Sequence, residues 1–290
     1  MKLGLVFTIA ALVAAVLGSS VCAEEPAVAK PVKTGYAPVN GLQMYYEIYG
    51  PDRGQTPLVL LHGGGSTIET SFGSVIGELA KTRRVIAFEQ QGHGHTADIE
   101  ERPLSFEQSA QDTVELLKYL GIPRADLCGY SNGGTIALYT TVLHPDRVRK
   151  LVLISASFSK EGLSPQLLEA FKTASADNIP PELREAYLKV APHPEQLPLL
   201  VKKSVDRMLN YKDLRAEQIQ AIESPTLVIN GDNDVILPEH AVKLYHLLPQ
   251  AQLAIFPGTD HMQIVKRADG LLTIIPAFLD SSSTEIPAQK

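Results

Sequence analysis

The stretch DLCGYSNGG, residues 126–134, carries a short apolar segment directly into a serine with glycines on both sides. Gly129 precedes Ser131 by two residues, and Gly133 follows it by two. Glycine and serine are common in ordinary turns. The same spacing is also typical of a bend so tight that neighbouring side chains would collide. The rest of the sequence decides between these two interpretations.

Short apolar segments that resemble strands alternate with helical segments along the chain. A helix is predicted over residues 105–121, with Ser105 and Gln108 in capping-box spacing, and another begins near Asn132. This alternation predicts an α/β fold with a mostly parallel sheet covered by helices on both faces. Residues 158–223 lack a strand pattern and are interpreted as a helical cap insertion. The predicted strands include residues 42–50, 57–61, 84–92, 125–129, 148–157, 226–230 and 252–256.

Four turns that carry polar residues follow predicted strands. They are HGGG (62–65), GYSNG (129–133), GDND (231–234) and GTDH (258–261). Ligands of an open parallel sheet bind at the carboxyl ends of its strands. A serine, an acid and a histidine therefore occur, in that chain order, where a site is expected.

The turn at Ser131 is interpreted as a nucleophile elbow, in which a strand-to-helix turn exposes the serine hydroxyl. A serine needs a base to take its proton, and the base needs a third group to orient it. His261 is the candidate base and Asp234 the candidate acid. The amides of Gly64 and Asn132 are the candidate oxyanion hole, and one of them begins a helix.

The chain resembles the α/β-hydrolase superfamily, in its esterase and cofactor-free haloperoxidase-like branch, over residues 38–280. The resemblance implies the roles given above to Ser131, Asp234, His261, Gly64 and Asn132. It favours Asp234 over Asp232, because the family places its acid three residues after the glycine and four before a proline. The matching segments, in family order, are HGGG, EQQGHGHT, GYSNGG, HPDRVRKLVLIS, GDNDVILP and PGTDH.

The chain departs from the family pattern at three positions. Asn132 stands where methionine is common, which leaves the backbone N–H unchanged but places a polar group beside the nucleophile. Glu89 and Gln91 replace the usual aspartate and arginine, so the usual local ion pair is not expected.

Tyr130 and Ile236 are expected to contact substrate, together with side chains of the cap.

The N-terminus has the features of a secretory signal peptide over residues 1–23. Lys2 precedes an apolar run of fifteen residues, 3–17, and Val21 and Ala23 fit the cleavage site. A membrane anchor needs about 20 apolar residues, so no stable anchor is expected. The mature protein is therefore expected to be periplasmic or secreted.

Two terminal segments are assigned outside the catalytic domain. Residues 24–37 are predicted to be an N-terminal leader, poorly ordered up to residue 35, and residues 281–290 a C-terminal tail. After cleavage Cys128 is the remaining cysteine, so no internal disulfide is expected. Its place in an apolar strand indicates core packing.

Composition and motifs exclude several other functions. The formal net charge of −6 gives no footprint for nucleic acid. His93 and His95 lack a third ligand at metal spacing, so no metal is expected. GHGHTA (92–97) matches a dinucleotide fingerprint in letters but is not followed by a helix, and the predicted chemistry needs no cofactor.

The sequence favours an exported serine hydrolase that cleaves a small-molecule carboxylic ester through an acyl-enzyme. The same triad could act on a lactone, on a carbon–carbon bond beside a ketone, or in perhydrolysis. A ligand-binding protein with little turnover on the same fold is a third hypothesis. Five intact site positions argue against it, because binding alone does not need them.

Overall fold

The computed structural model of the protein describes residues 29–282. The predicted signal peptide, residues 24–28 of the leader and residues 283–290 of the tail lie outside this range. Across residues 29–282, eight strands form one sheet in the order β1-β2-β4-β3-β5-β6-β7-β8. The strands are β1 Lys33–Val39, β2 Leu42–Tyr49, β3 Leu58–Leu61, β4 Val85–Phe88, β5 Ala125–Tyr130, β6 Val148–Ile154, β7 Thr226–Gly231 and β8 Ala251–Phe256.

The sheet is parallel from β4 through β3, β5, β6 and β7 to β8, while β2 is antiparallel to both β1 and β4. This confirms the predicted mostly parallel sheet. The helices are α1 Ile68–Phe72, α2 Ile76–Thr82, α3 Phe106–Tyr119, α4 Asn132–Leu143, α5 Pro165–Thr173, α6 Pro181–Val190, α7 Leu197–Asn210, α8 Ala216–Gln220, α9 Pro238–Leu247 and α10 Ala268–Asp280.

Helices cover both faces of the sheet, so each central strand is buried on both of its faces. In β3, Val59 and Leu61 pack in a core with residues of α3, α4 and α9. Leu58 and Leu60 point the other way, into a core with residues of α1, α2 and α10. Alternate side chains of a strand point to opposite faces, so a continuous apolar run is needed to fill both layers.

The predicted leader is wrong over residues 33–37, which form part of β1. This strand pairs with β2 from Lys33 opposite Ile48 to Val39 opposite Leu42. Asn40 and Gly41 close the hairpin with φ values of +47° and +87°. An Asn-Gly pair favours the two-residue hairpin turn that needs two positive φ values. This pair was therefore a signal for β1 in the sequence, although the leader was predicted there.

Helices α5 to α8 lie between β6 and β7, in the segment interpreted as a cap. Ser164 caps α5 by accepting a hydrogen bond from the Leu167 amide, and Pro165 is the first helical residue. A separate apolar cluster forms within the cap and against Leu104. No helix of residues 29–282 is long and apolar enough to cross a membrane.

A buried histidine on α9 should make folding stability depend on pH. His240 stacks on Phe158, with ring centroids 4.2 Å apart, and its Nε2 accepts the Phe158 amide. Burial, helped by the charge of Lys243, lowers the pKa of His240 to about 4. The unfolded chain, with a pKa of about 6.5, therefore takes up the proton first as pH falls.

We expect His240 to reduce the free energy of unfolding by up to about 3 kcal/mol between pH 6.5 and pH 4. Urea unfolding at pH 7.5 and pH 4.5 measures this loss, which should shrink in His240→Asn. His246→Asn is the control, because that side chain is exposed on the same helix. Equal pH dependence in His240→Asn and in the wild type would contradict the prediction.

Candidate active site

Ser131 occupies a strained turn between β5 and α4. Its φ is +52° and its ψ is −121°, a conformation that costs a non-glycine residue about 1–3 kcal/mol. A Cβ on Gly129 would lie 2.2 Å from the Gly133 carbonyl oxygen, and one on Gly133 would lie 2.0 Å from the Leu61 carbonyl oxygen. The glycines are therefore required by backbone contact, which decides the question raised by the sequence in favour of the tight bend.

His261 contacts both of the other residues predicted to act with it. Its Nε2 lies 2.9 Å from the Ser131 Oγ, and its Nδ1 lies 2.7 Å from the Asp234 Oδ1. Because Nδ1 faces a carboxylate, it carries the proton and donates it in that hydrogen bond. The Nε2 is then free to accept the hydrogen of the serine hydroxyl.

The loop that carries His261 is fixed by neighbouring groups. The Tyr130 hydroxyl donates to the His261 carbonyl oxygen at 2.7 Å, and the two rings pack 5.2 Å apart. The Asp260 Oδ1 accepts the amides of Met262 and Gln263, which makes Asp260 a turn former. Tyr130 thus ties the residue before Ser131 to the loop of the candidate base.

Asp234 is a buried carboxylate with three donors. Besides His261, the Ser155 hydroxyl donates to Oδ2 at 2.5 Å and the Ile236 amide donates to Oδ1 at 2.8 Å. Burial would raise the pKa of Asp234, but the hydrogen bonds and the histidine outweigh it, so the pKa lies below its usual value. The aspartate therefore stays ionised while it orients the imidazole.

Ser155 was missed by the sequence analysis. It follows β6 directly, with a φ of +51°, and β6 pairs with β7, which leads to Asp234. Its place near the carboxyl end of the predicted strand 148–157 was the available signal. A lone serine there is weak evidence, because the sequence does not show where its side chain points.

Asp232 does not contact His261. Its two carboxylate oxygens accept the amides of Gly258 at 2.9 Å and Thr259 at 3.0 Å, which joins the loops after β7 and β8. These amide bonds lower the pKa of Asp232. Asp232 therefore supports the loop of the candidate base, whereas Asp234 meets the ring.

Gly64 and Asn132 both line the cavity in front of Ser131. Within residues 29–282 neither of their backbone N–H groups donates a hydrogen bond to the protein. Asn132 begins α4, whose positive dipole end faces the site. A Cβ on Gly64 would lie 2.2 Å from the Asn132 Nδ2, so the two residues approach closely. These groups can stabilise negative charge on a substrate oxygen.

Two buried histidines hold the loop that carries Gly64. The Nε2 of His62 accepts the Gln90 amide, and the Nε2 of His93 accepts the Gly65 amide, both at 3.0 Å. Burial lowers the pKa of each imidazole, so both stay neutral and can accept. His62 and His93 therefore shape the loop and do not act on substrate.

His95, considered with His93 as a metal ligand, bonds to the Glu89 carboxylate instead. The His95 Nδ1 lies 2.8 Å from the Glu89 Oε2, and that hydrogen bond raises the pKa of His95. No cluster of three or more His, Cys, Asp or Glu suited to a metal occurs in the described part of the chain.

A cavity of about 480 Å³ lies between Ser131 and the cap. Tyr130 and Ile236 line its base, although the Tyr130 hydroxyl is engaged by His261. The cap supplies a mostly aliphatic roof, which the sequence could not assign residue by residue. The roof includes Leu167, Phe171, Leu183, Leu200, Val201, Val205 and Met208.

Comparison with known proteins identifies the family of this chain. A sequence profile for the alpha/beta hydrolase fold matches residues 56–205. The chain belongs to the α/β-hydrolase family. This confirms the resemblance to the α/β-hydrolase superfamily that the sequence motifs indicated.

Several known proteins are similar to this α/β-hydrolase chain. It is 29% identical over 262 residues to the dihydrolipoyllysine-residue acetyltransferase component of the acetoin cleaving system of Pseudomonas putida, covering 82% of this chain and 66% of that protein. It is 31% identical over 258 residues to a 2-hydroxymuconate semialdehyde hydrolase of Pseudomonas sp. (strain CF600), covering 77% and 86%. An enol-lactonase structure from Burkholderia xenovorans LB400 has a TM-score of 0.68 at 23% identity, covering 85% and 100%, and shows the common fold.

The two aspartates after β7 provide a direct test of the geometry. Asp234→Asn should slow covalent labelling of Ser131 by a fluorophosphonate about 10³–10⁴-fold, because an amide no longer holds the required tautomer. Asp232→Asn should slow it less than about tenfold. Second-order labelling rate constants, with circular dichroism to verify folding, make the comparison. The reverse ranking would assign the acid to Asp232.

Proposed function

We propose that this protein is an exported serine hydrolase that cleaves carboxylic esters through an acyl-enzyme. The single observation that supports this most is the position of His261, within hydrogen-bonding distance of both the Ser131 hydroxyl and the Asp234 carboxylate. Acyl transfer requires a nucleophile that can reach the substrate, a base and an orienting acid in one chain of contacts, and Ser131 is partly exposed.

In the proposed reaction His261 takes the proton of Ser131 as the serine Oγ attacks the ester carbonyl. The buried Asp234 carboxylate stabilises the imidazolium that forms. His261 then gives the proton to the leaving alkoxide as the bond between the alkoxide and the carbonyl carbon breaks. The acyl group is now attached to Ser131 through a new ester bond. A water molecule, activated by the same imidazole, releases the acid and restores the serine.

The amides of Gly64 and Asn132 are proposed to bind the oxyanion of each tetrahedral intermediate. Their N–H groups have no acceptor in residues 29–282, so they need not break a protein hydrogen bond to reach it. Preorganised donors of this kind contribute about 3–4 kcal/mol each to lowering the barrier.

The cavity supports a substrate with an apolar portion. Most of the side chains that the cap contributes to it are apolar, while the catalytic candidates Ser131 and His261 provide a polar end, which suits an ester whose carbonyl meets that end. We expect alkyl and aryl esters that fill about 480 Å³ to be better substrates than bulkier ones.

Replacement of the nucleophile tests the mechanism. Ser131→Ala should abolish fluorophosphonate labelling and reduce ester hydrolysis by several orders of magnitude, leaving a residual rate from the oxyanion hole and binding. Alkyl and aryl esters, lactones and a β-diketone should be assayed with both proteins. Labelling of the mutant at the wild-type rate would disprove the assignment, and labelling without turnover of any compound would favour a binding protein.

Export is proposed from the N-terminal sequence. Val21 and Ala23 fit a cleavage site, so exported material should begin with Glu24. N-terminal sequencing and intact mass of the exported protein measure this. A mature chain that retains Cys22, with or without an acyl group, would contradict the proposal.

A further inference from the structure

The side chain of Asn132, the residue after the candidate nucleophile, is a carboxamide without a hydrogen-bond partner. Asn132 is 7% exposed. Within residues 29–282 its side-chain oxygen and nitrogen make no hydrogen bond, yet neither atom is closed off from solvent. The residue lines the cavity in front of Ser131, so the carboxamide is accessible from that cavity. A ligand in the cavity can therefore reach both a donor and an acceptor on this side chain.

Glycine at position 64 makes room for this carboxamide. A Cβ on Gly64 would lie 2.2 Å from the Asn132 Nδ2 and 3.1 Å from the Asn132 Cγ. The carboxamide thus fills the space that a side chain at position 64 would need. Because the Gly64 amide is proposed to bind the carbonyl oxygen of the substrate, the carboxamide lies close to the position of the reacting carbonyl.

Several other polar side chains that line the cavity already have partners. The Thr135 hydroxyl donates to the Ser157 carbonyl oxygen at 2.9 Å, and the Ser155 hydroxyl donates to the candidate acid. Both ends of the Asn178 carboxamide bond to backbone groups of the cap. A polar group that is buried without a partner costs free energy, and a matched partner recovers it. The Asn132 carboxamide therefore gains most from a ligand that supplies the missing hydrogen bond.

We propose that the Asn132 carboxamide binds a hydroxyl or keto oxygen on the first or second carbon beyond the scissile carbonyl, so that the preferred substrates are esters of hydroxy or oxo acids. This inference rests on the proposed ester hydrolysis. His261 must protonate the leaving alkoxide, so the alcohol part lies beside the imidazole, whereas the carboxamide meets Gly64 and faces the acyl part. An uncharged group with a donor and an acceptor suits an uncharged oxygen substituent.

Three ethyl esters test this contact. Ethyl 2-hydroxybutyrate and ethyl 3-hydroxybutyrate carry a hydroxyl on the first and second carbon of the acyl chain, and ethyl butyrate is their plain counterpart. Each kcat/KM, measured by proton release, is divided by the rate constant for alkaline hydrolysis of the same ester, which removes the inductive effect of the hydroxyl. At least one hydroxy ester should exceed ethyl butyrate about 5–100-fold in this normalised kcat/KM, because it pairs a polar group that butyrate leaves unpaired.

The position of the hydroxyl provides an internal control. Ethyl 6-hydroxyhexanoate should have no advantage over ethyl hexanoate, because its hydroxyl lies too far from the carbonyl to reach the carboxamide. An equal advantage for the distant hydroxyl, or none for either hydroxybutyrate, would overturn the proposal.

Substitution of Asn132 should remove the preference. Leucine has nearly the shape of asparagine but cannot form the hydrogen bond, and it leaves the backbone N–H in place. Asn132→Leu should therefore bring the ratio of normalised kcat/KM values for hydroxy ester and plain ester to about one. Asn178→Leu is the matched control, because it makes the same change at a cavity asparagine whose carboxamide is already bonded. It should change the ratio by less than about twofold.

Stability separates a substrate contact from a structural role. Because the carboxamide has no partner in residues 29–282, Asn132→Leu should keep or raise the Tm. Asn178→Leu should lower the Tm, since it removes two hydrogen bonds within the cap. A lowered Tm in Asn132→Leu, with equal fractional losses for all three butyrate esters, would show that the carboxamide holds the turn and would overturn the proposal.

Failure of this contact can be separated from failure of the proposed function. Ser131-dependent hydrolysis of ethyl butyrate as efficient as that of both hydroxybutyrates would refute the contact and leave the ester hydrolase intact. Calorimetry with Ser131→Ala provides the converse test, because no turnover is needed. Tighter binding of a hydroxybutyrate ester than of ethyl butyrate, lost when Asn132→Leu is added, would support the contact even if the wild type hydrolysed none of the esters.

Discussion

The turn between β5 and α4 exists because main-chain atoms approach one another where glycine has no side chain. Gly133 packs against the Leu61 carbonyl at the end of β3, and Gly129 packs against Gly133 itself. This contact sets the distance between α4 and the loop that follows β3. Since Asn132 begins α4 and Gly64 lies in that loop, the same contact also sets the distance between the two candidate oxyanion donors.

Much of the fold could be predicted from the sequence because the signals were local. The strands that lead to Ser131, Asp234 and His261 are short apolar runs, and their turns carry glycine. Strand β1 was missed because its edge position leaves most of its side chains exposed, so it lacks the apolar run of the central strands. Its turn chemistry at Asn40 and Gly41 was a better indicator than its hydropathy.

Other parts of the candidate site depend on contacts between distant segments. Ser155 meets Asp234 across 79 positions of the chain, and the Tyr130 hydroxyl meets the His261 carbonyl across 131. Neither residue type is unusual in its own segment, so no local pattern marks it. These contacts exist only once the surrounding chain has folded.

The helices of the cap are anchored to different extents. Helix α5 contributes no fully buried side chain and α6 contributes only Tyr187, whereas α7 buries six residues that include Met208 and Arg207. Segments with few buried contacts open at low free-energy cost. The part of the roof formed by α5 and α6 is therefore the part best suited to admit a substrate while α7 keeps its place.

The hydrogen bond from Tyr130 to the His261 carbonyl links the end of β5 to a loop 131 positions later in the chain. Tyr130 is covalently joined to Ser131, so a displacement of the β5 turn is transmitted to the backbone of His261 through one phenol group. If both loops move together, the distance between the serine oxygen and the imidazole nitrogen does not change. The serine and the histidine are thus connected by a contact that uses neither of their side chains.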